Sequence, residues 1–274
     1  MKIGIISSST ESLGLFAWLN RYDHHYLIYL DTRNAPYGDK SFAHSLQAVI
    51  QGITTLTAQG TQKIILPPLY ELALLLDPQV PKNTKNLILP LFSDYLLQQV
   101  FPHSLVGKLG LFGDPEELHI AQQLIRQLAD HFTPTPAQLA TKPFRFPFHF
   151  WSKETSILKH LLSKLSWKAF LTNTLIKHQL RIFKDAAVDT VIPLNYTSFN
   201  AQKTITKFFN FKKIRFHSAT HLETIFQHHT QHHTSPYQIT VLHNDSAFPL
   251  TSQKRLLRLL QKGKQHPIER ISLA

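Results

Sequence analysis

The stretch Asp31-Thr-Arg-Asn-Ala-Pro-Tyr-Gly-Asp-Lys-Ser41 directly follows the apolar run Tyr26-Leu-Ile-Tyr-Leu30. The apolar run predicts a buried strand, and the polar stretch predicts a turn where that strand ends. Pro36 fixes φ, and Gly38 permits backbone conformations that other residues avoid. The turn can therefore aim successive amide N–H groups at an anion such as a carboxylate. An ordinary turn between a strand and a helix is the alternative interpretation.

Short apolar segments alternate with helical segments along the rest of the chain. This alternation is typical of parallel sheets covered by helices and places the chain in the α/β class. Strands are predicted at residues 3–6, 26–30, 63–66, 87–89, 108–112, 190–192, 213–216 and 238–242, and helices at about 41–59, from 93, and at 116–131, 152–186 and 251–263. Residues 133–151 are predicted to be a long connection. Its alternating phenylalanines either pack onto the body or form an aromatic platform for nucleic acid.

The composition excludes several classes of protein. The chain has 274 residues and no cysteine, so one large or two medium domains are possible and disulfides, thiolate metal sites and thiol nucleophiles are excluded. No apolar run reaches the roughly 18 residues that a membrane span needs. The N-terminal segment becomes polar too soon for a signal peptide, and we expect a cytoplasmic protein.

The positive charge is concentrated in the second half of the chain. Residues 1–140 hold 9 Lys and Arg against 11 Asp and Glu, a net charge of −2, whereas residues 141–274 hold 20 against 6, a net charge of +14. A basic half of this kind can bind nucleic acid or another anionic surface by neutralising phosphates. A solvated basic surface without a partner is the alternative.

Four histidines near the C-terminus have a spacing that brings pairs of them together on a helix. They are His228, His229, His232 and His233. Imidazoles at i and i+4 could chelate a divalent metal. No carboxylate or thiol accompanies them, so an exposed polar patch is the favoured interpretation and no metal site is predicted.

The stretch at 31–41 closely resembles the Asp-Thr-(three residues)-Pro-Tyr-Gly-x-Lys-Ser motif of bacterial glutamate racemases, which belong to the cofactor-independent Asp/Glu/hydantoin racemase superfamily. The segment Lys108-Leu-Gly-Leu-Phe-Gly113 is similar to the family's Lys-Ile-Gly-Val-Ile-Gly. The resemblance implies two similar three-layer α/β domains, with mainly parallel sheets, that face each other across a cleft. The family's first domain is discontinuous, which implies domains at 1–93 with 207–274 and at 94–206.

The resemblance fails at the positions that handle protons in the family. Racemisation there uses two cysteines on opposite faces of the substrate, because one group must remove the α-proton while another returns it. An aspartate and a histidine assist them. The matching positions here hold Ser7 for the aspartate, Pro68 and Asn195 for the cysteines, and Thr197 for the histidine. Neither proline nor asparagine is an acid or base at ordinary pH, so we predict no catalytic residue at these degenerate positions.

The residues that remain can still hold a ligand. The resemblance implies a small carboxylate, bound by Ser8, Tyr37 and Gly38 on one side and by Asn195 and Tyr196 on the other. Larger side chains at Leu69, Tyr70, Tyr196 and Phe199 are expected to narrow the cleft. Homodimers are common in the family, and some members bind and inhibit DNA gyrase, so a homodimer and a DNA or gyrase partner are further expectations.

Three functions follow from these observations. The first is a catalytically inactive protein with the glutamate racemase fold. The second is an active isomerase or lyase that uses Asp31, Asp114, Tyr70 or Tyr196 as acid or base; as an active glutamate racemase it would supply D-glutamate for peptidoglycan. The third is a basic regulatory protein that binds nucleic acid or an acidic partner through the C-terminal half.

Overall fold

The computed structural model describes residues 1–8, 15, 19, 22–35, 37, 40–132, 148–158, 170–230 and 238–244. Within these residues the elements follow in chain order, and they are numbered here in that order. They are β1 (Lys2–Ser7), β2 (His25–Leu30), α1 (Phe42–Ala58), β3 (Lys63–Ile65), α2 (Pro68–Leu76), α3 (Lys82–Leu87), α4 (Leu91–Tyr95), β4 (Lys108–Gly113), α5 (Pro115–Asp130), β5 (His149–Glu154), α6 (Phe170–Gln179), α7 (Arg181–Asp185), β6 (Thr190–Pro193), α8 (Gln202–Phe209), α9 (Ala219–Thr230) and β7 (Gln238–His243).

The first sheet contains strands from both ends of the chain. Its order is β3-β1-β2-β7 and all its pairings are parallel. Ile5 lies at the centre, with Ile28 beside it in β2 and Ile65 beside it in β3. Apolar residues occupy successive positions of β1 and β2, and nearly all of them are buried, as expected for strands covered on both faces.

The second sheet is built from the middle of the chain. Its order is β5-β4-β6, again parallel. The strands are followed or preceded by helices that bury their apolar faces against the sheets, and one continuous core includes side chains from both sheets. The α/β class and the mainly parallel sheets predicted from the sequence are therefore confirmed.

Helix α1, which follows the stretch at residues 31–41, begins and ends where the sequence predicts. Ser41 is its N-cap, and the hydroxyl of Ser41 accepts a hydrogen bond from the amide of His44 at 3.4 Å. After its last turn the chain passes Gly60, which has φ of +76°. Only glycine adopts this backbone conformation without strain, so the helix ends there and the chain turns into β3.

Three predicted segments differ in the structure. The predicted strands at 87–89 and 213–216 are reduced to single pairings, Ile64 with Ile88 and Thr190 with Arg215. The helix predicted from residue 152 was wrong at its start, since residues 149–154 form β5. This strand lies at the edge of its sheet and its side chains are partly exposed, so its sequence lacks the continuous apolar run of a central strand. The helix predicted at 251–263 lies outside the described residues, as does most of the connection predicted at 133–151.

The two sheets take their strands from different parts of the chain. Strands before residue 66 and after residue 237 form one sheet, and strands between residues 108 and 193 form the other. The domain boundaries at 93/94 and 206/207 stay a prediction. In the described part of the chain, no helix has the length and apolar character required to cross a membrane.

Candidate functional site

A small cavity lies where strands of both sheets end. Ser8 follows β1, Pro67 and Pro68 follow β3, and Asn195 follows β6. Ligand sites of parallel α/β proteins form at the carboxyl ends of the strands. The cavity has a volume of about 30 Å³ and is lined by Ser8, Tyr37, Pro67, Pro68, Tyr70, Glu117, Leu194, Asn195, Tyr196 and Thr197.

The turn after β2 is held by a buried carboxylate. Asp31 is fully buried, and its carboxylate accepts a hydrogen bond from the Tyr37 hydroxyl at 2.9 Å and from the Asn34 side chain at 3.0 Å. The side-chain amide of Asn244, just after β7, donates to the same carboxylate. Burial is the main cause of a raised pKa for Tyr37, and the charge of Asp31 adds to it. Asp31 therefore positions Tyr37 at the cavity and keeps the phenol protonated.

Pro68 begins α2 at one wall of the cavity. Proline is favoured in the first turn of a helix, because its φ is already helical and its missing N–H would have no partner there. Pro67 is the N-cap residue, and its carbonyl accepts from the amides of Tyr70 and Glu71 at 3.1 Å. The ring of Tyr70 stacks on Phe42 and meets Tyr37 edge-on. This wall presents a proline ring and phenol groups to the cavity.

Asn195 stands at the start of the turn that follows β6. Its side-chain oxygen accepts from the amide of Ser198 at 3.0 Å and from the Ser198 hydroxyl at 2.9 Å. Its Nδ2 is buried and has no hydrogen-bond partner within the described part of the chain. The amide can therefore donate to an acceptor that enters the cavity.

Behind the cavity, Glu71 joins three segments of the chain. Its carboxylate accepts from the amides of Phe92 and Ser93 at the start of α4, at 2.9 and 2.8 Å. The hydroxyl of Tyr196 donates to it at 3.3 Å. Burial raises the pKa of Glu71 to about 7, although the hydrogen bonds from Ser93 and Phe92 act in the opposite direction. Burial, followed by the charge of Glu71, raises the pKa of Tyr196 well above its ordinary value.

The structure brings together most of the predicted site residues. Ser8, Tyr37, Pro68, Asn195, Tyr196 and Thr197 all line the one cavity. Ser7 is buried at the end of β1 beside it, and its carbonyl accepts from the amide of Asp31 at 2.8 Å. Gly38 lies outside the described residues.

The four large side chains expected to narrow the cleft divide into two pairs. Tyr70 and Tyr196 line the cavity, whereas Leu69 and Phe199 are buried in the core. Asp114, an acid or base in the isomerase hypothesis, is buried at the start of α5 and does not line the cavity.

Two acidic residues at the site were missed by the sequence analysis. Glu117 lines the cavity from the first turn of α5, and Glu71 lies behind Tyr196. A signal for Glu71 was present, because it interrupts the apolar segment Leu69–Leu76 as the only charged side chain. Glutamate is rarely buried without a partner, so a charge inside such a segment indicates a specific hydrogen-bonding role.

The histidine patch near the C-terminus has a structural contact. The imidazole of His229 lies 2.8 Å from the carboxylate of Asp94 and connects α9 to α4. His232 and His233 lie outside the described residues. Among the residues that the structure describes, no group of His, Asp and Glu is arranged to hold a metal ion.

The two parallel sheets, with a cavity lined by residues that follow strands of both, define an α/β protein whose candidate site lies at the carboxyl ends of the strands. Its particular fold is that of the glutamate racemases, and solved structures of these enzymes match nearly the whole chain. The chain is similar to glutamate racemase from Francisella tularensis in complex with D-glutamate, with a TM-score of 0.70, 12% identity, and coverage of 100% of this chain and 97% of that one.

Two further structures support the same fold. Glutamate racemase from Thermus thermophilus in complex with β-chloro-D-alanine has a TM-score of 0.67 at 16% identity, covering 99% of this chain and 96% of that one. The Escherichia coli enzyme in complex with L-glutamate and the activator UDP-MurNAc-Ala has a TM-score of 0.60 at 14% identity, covering 95% and 94%. No protein-family model and no curated protein matches the sequence.

Proposed function

We propose that this protein has the glutamate racemase fold but does not racemise amino acids. One observation carries the proposal: Pro68 and Asn195, at the positions where the resemblance places the two catalytic cysteines, line one cavity from different strand ends. A two-base reaction requires groups that can lose and gain a proton on both sides of the α-carbon. Proline has no titratable group, and a carboxamide does not titrate at ordinary pH.

The phenols of Tyr37 and Tyr196 do not replace the missing bases, and Glu117 is a single carboxylate in the cavity lining, where a two-base reaction needs a group on each side of the α-carbon. The phenols of Tyr37 and Tyr196 are kept protonated by burial and by the neighbouring carboxylates, so neither is a base near neutral pH. The cavity of about 30 Å³ has room for little more than a water molecule, and an amino acid is several times larger. Binding of any small carboxylate there requires the two walls to move apart.

The experiment is exchange of the α-proton in heavy water. The full chain is incubated with L- and D-glutamate and with L- and D-aspartate, and deuterium at the α-carbon is measured by mass spectrometry. We expect no incorporation above a sample without protein, while an active glutamate racemase in parallel incorporates deuterium. Incorporation by this chain at an enzymatic rate contradicts the proposal.

A second candidate function is an isomerase or lyase that acts on another substrate. It is favoured by one contact, the hydrogen bond of 3.3 Å from Tyr196 to Glu71, a carboxyl group with a pKa of about 7. A group with this pKa can exchange protons near neutrality. If the unmodified chain exchanges the α-proton of any amino acid, this second proposal predicts that Tyr196→Phe abolishes the exchange. Supply of D-glutamate for peptidoglycan is a role that belongs to this second function and not to the first.

Several expectations from the sequence remain proposals. We propose a small carboxylate as the occupant of an opened cleft, contacted by Ser8, Tyr37, Gly38, Asn195 and Tyr196. A homodimer, a DNA or gyrase partner, and a cytoplasmic location are supported only by the resemblance or by composition. Size-exclusion chromatography with light scattering tests the dimer directly.

A further inference from the structure

A basic groove lies in the second half of the chain, away from the cavity at the strand ends. It is formed by α6, α7 and α8 and has a volume of about 490 Å³, far larger than the 30 Å³ of the cavity at the strand ends. Its lining residues are Asn173, Lys177, Lys184, Lys203, Thr204, Lys207 and Phe208. Four of these are lysines, and no acidic side chain is among the described residues that line the groove.

The lysines of the basic groove are not neutralised by nearby carboxylates in the described part of the chain. Lys203 and Lys207 are exposed and stand at i and i+4 of α8, an arrangement of like charges that destabilises a helix. The ammonium group of Lys184 lies 3.7 Å from the centre of the Phe208 ring. Asp185 is the next residue to Lys184, but its carboxylate pairs with Arg181 at 4.0 Å. The groove therefore presents an uncompensated positive charge to solvent.

The positive surface continues on the other side of α8. Lys203, Lys207 and Asn210 follow one another at i, i+4 and i+7 and form the exposed ridge of α8. Asn210 also lines a second cavity of about 640 Å³, whose lining includes Lys213 and Arg215. The two histidines there, His217 and His221, favour the neutral form, because burial lowers the pKa of His217 to about 3 and also lowers the pKa of His221. Six cationic side chains from α6, α7, α8 and the segment after α8 thus line the two cavities, and one of them, Arg215, also donates to the carbonyl of His103. Such a row of charges suits a chain of phosphates rather than a single anion.

An exposed aromatic ring accompanies these charges. Phe170 begins α6 and is 85% exposed. Asn173 and Lys177 follow it at i+3 and i+7, so Phe170 lies on the helix face that forms one wall of the basic groove. A large ring that is open to solvent beside lysines can stack on an unpaired base, as in proteins that bind single strands.

We propose that the basic groove and the ridge of α8 bind single-stranded nucleic acid. Lysines 177, 184, 203 and 207, with Lys213 and Arg215 beyond them, contact successive phosphates, and Phe170 stacks on a base. The described lining has little besides Asn173 and Thr204 that could read base edges, so binding is independent of sequence. The proposal assigns the positive charge of the second half of the sequence to a defined surface. It does not depend on whether the cavity at the strand ends is catalytic.

The test is fluorescence anisotropy of the full chain with a labelled single-stranded oligonucleotide of mixed sequence, measured over a range of salt concentrations. We expect the logarithm of the binding constant to fall linearly with the logarithm of the salt concentration. Lys203→Gln/Lys207→Gln should reduce the magnitude of that slope by about 1.4, since each phosphate contact to a single strand contributes about 0.7. Phe170→Ala should weaken binding at least about fivefold through loss of stacking.

The control is Lys82→Gln/Lys85→Gln, which removes the same charge from α3 on the other part of the molecule. It should leave the salt slope unchanged. Circular dichroism checks that all variants fold. Absence of binding by the unmodified chain at low salt overturns the proposal, and so does an equal loss of slope in the control pair. Duplex DNA bound as tightly as the single strand also overturns it.

Discussion

At the scale of single residues, Glu71 has the most informative titration in the described structure. Its pKa is raised by burial from the ordinary value of 4.5 to about 7, so folding favours the protonated form. The contribution of Glu71 to the free energy of unfolding is then largest below pH 4.5 and is lost as the pH rises through about 7. The difference between the two pKa values corresponds to about 3 kcal/mol.

Glu71→Gln removes this titration and keeps the shape of the side chain. We expect the stability of the unmodified protein, measured by urea unfolding, to fall relative to that of the variant by about 3 kcal/mol between pH 4.5 and pH 8. The control is Glu154→Gln, which replaces an exposed carboxylate on β5 and should give no such change. A constant difference between the unmodified protein and Glu71→Gln across this range would show that Glu71 is ionised throughout.

The same residue shows why part of the site could not be predicted. The sequence placed Pro68 and Asn195 at one site, through matched motif positions at the ends of strands. The partners of Glu71 are Phe92, Ser93 and Tyr196, which lie 21, 22 and 125 residues further along the chain. Nothing local in the sequence specifies contacts at such separations, so the buried network behind the cavity required the structure.

At the scale of secondary-structure elements, β4 and α7 pack without space for a side chain at Gly110. A Cβ atom there would lie 2.7 Å from Cδ1 of Phe183, whose ring is fully buried. Overpacking of this kind costs about 1 to 3 kcal/mol. We expect Gly110→Ala to lower the free energy of unfolding by that amount, as measured by urea unfolding.

A second substitution tests whether Gly110→Ala is destabilising because its methyl group is crowded by Phe183 or because glycine has been replaced. Phe183→Leu alone should destabilise the protein, because it leaves a cavity beneath α7. In the double variant Gly110→Ala/Phe183→Leu the new methyl group occupies part of that cavity, so the combined loss should be smaller than the sum of the two single losses. Strict additivity would contradict the packing explanation.

Individual elements differed in how well the sequence predicted them. The central strands β1, β2 and β4 are buried on both faces and have uninterrupted apolar runs, so their positions were correct. The edge strand β5 borders only β4 and has polar residues at several positions, so its pattern was mistaken for the start of a helix. Segments with one bridge each, around Ile88 and Arg215, have strand-like composition but no neighbour along most of their length.

At the scale of the whole molecule, one face of the first sheet shares a core with the second sheet, while side chains of its other face, such as Ile6 and Tyr29, pack with α1 in a separate cluster. Buried side chains of β1 and β2 belong to the same cluster as those of β4 and β6. The hydrogen bonds of Glu71 and the contact of His229 with Asp94 add polar connections between distant segments. Because neither sheet can lose its packing without exposing the shared core, we expect the two sheets to unfold together.

This expectation is tested with Trp151, which lies on β5 in the second sheet, as the fluorescent reporter in a Trp18→Phe/Trp167→Phe background. Tyr37→Phe removes a hydrogen bond to the buried carboxylate of Asp31, next to the first sheet. It should destabilise the protein by about 1.5 to 3 kcal/mol. The hydroxyl of Tyr95 is buried with no hydrogen-bond partner among the described residues, so Tyr95→Phe is the control and should cost nothing.

If the core unfolds as one unit, Tyr37→Phe shifts the urea transition of Trp151 fluorescence by the same amount as the transition measured by far-ultraviolet circular dichroism. A shift in the circular dichroism alone, with the Trp151 transition unchanged, would mean that the two sheets unfold independently. The strand ends that carry Pro68 and Asn195 would then belong to separate cooperative units, whereas a single transition means that the shared core joins both walls of the cavity into one unit.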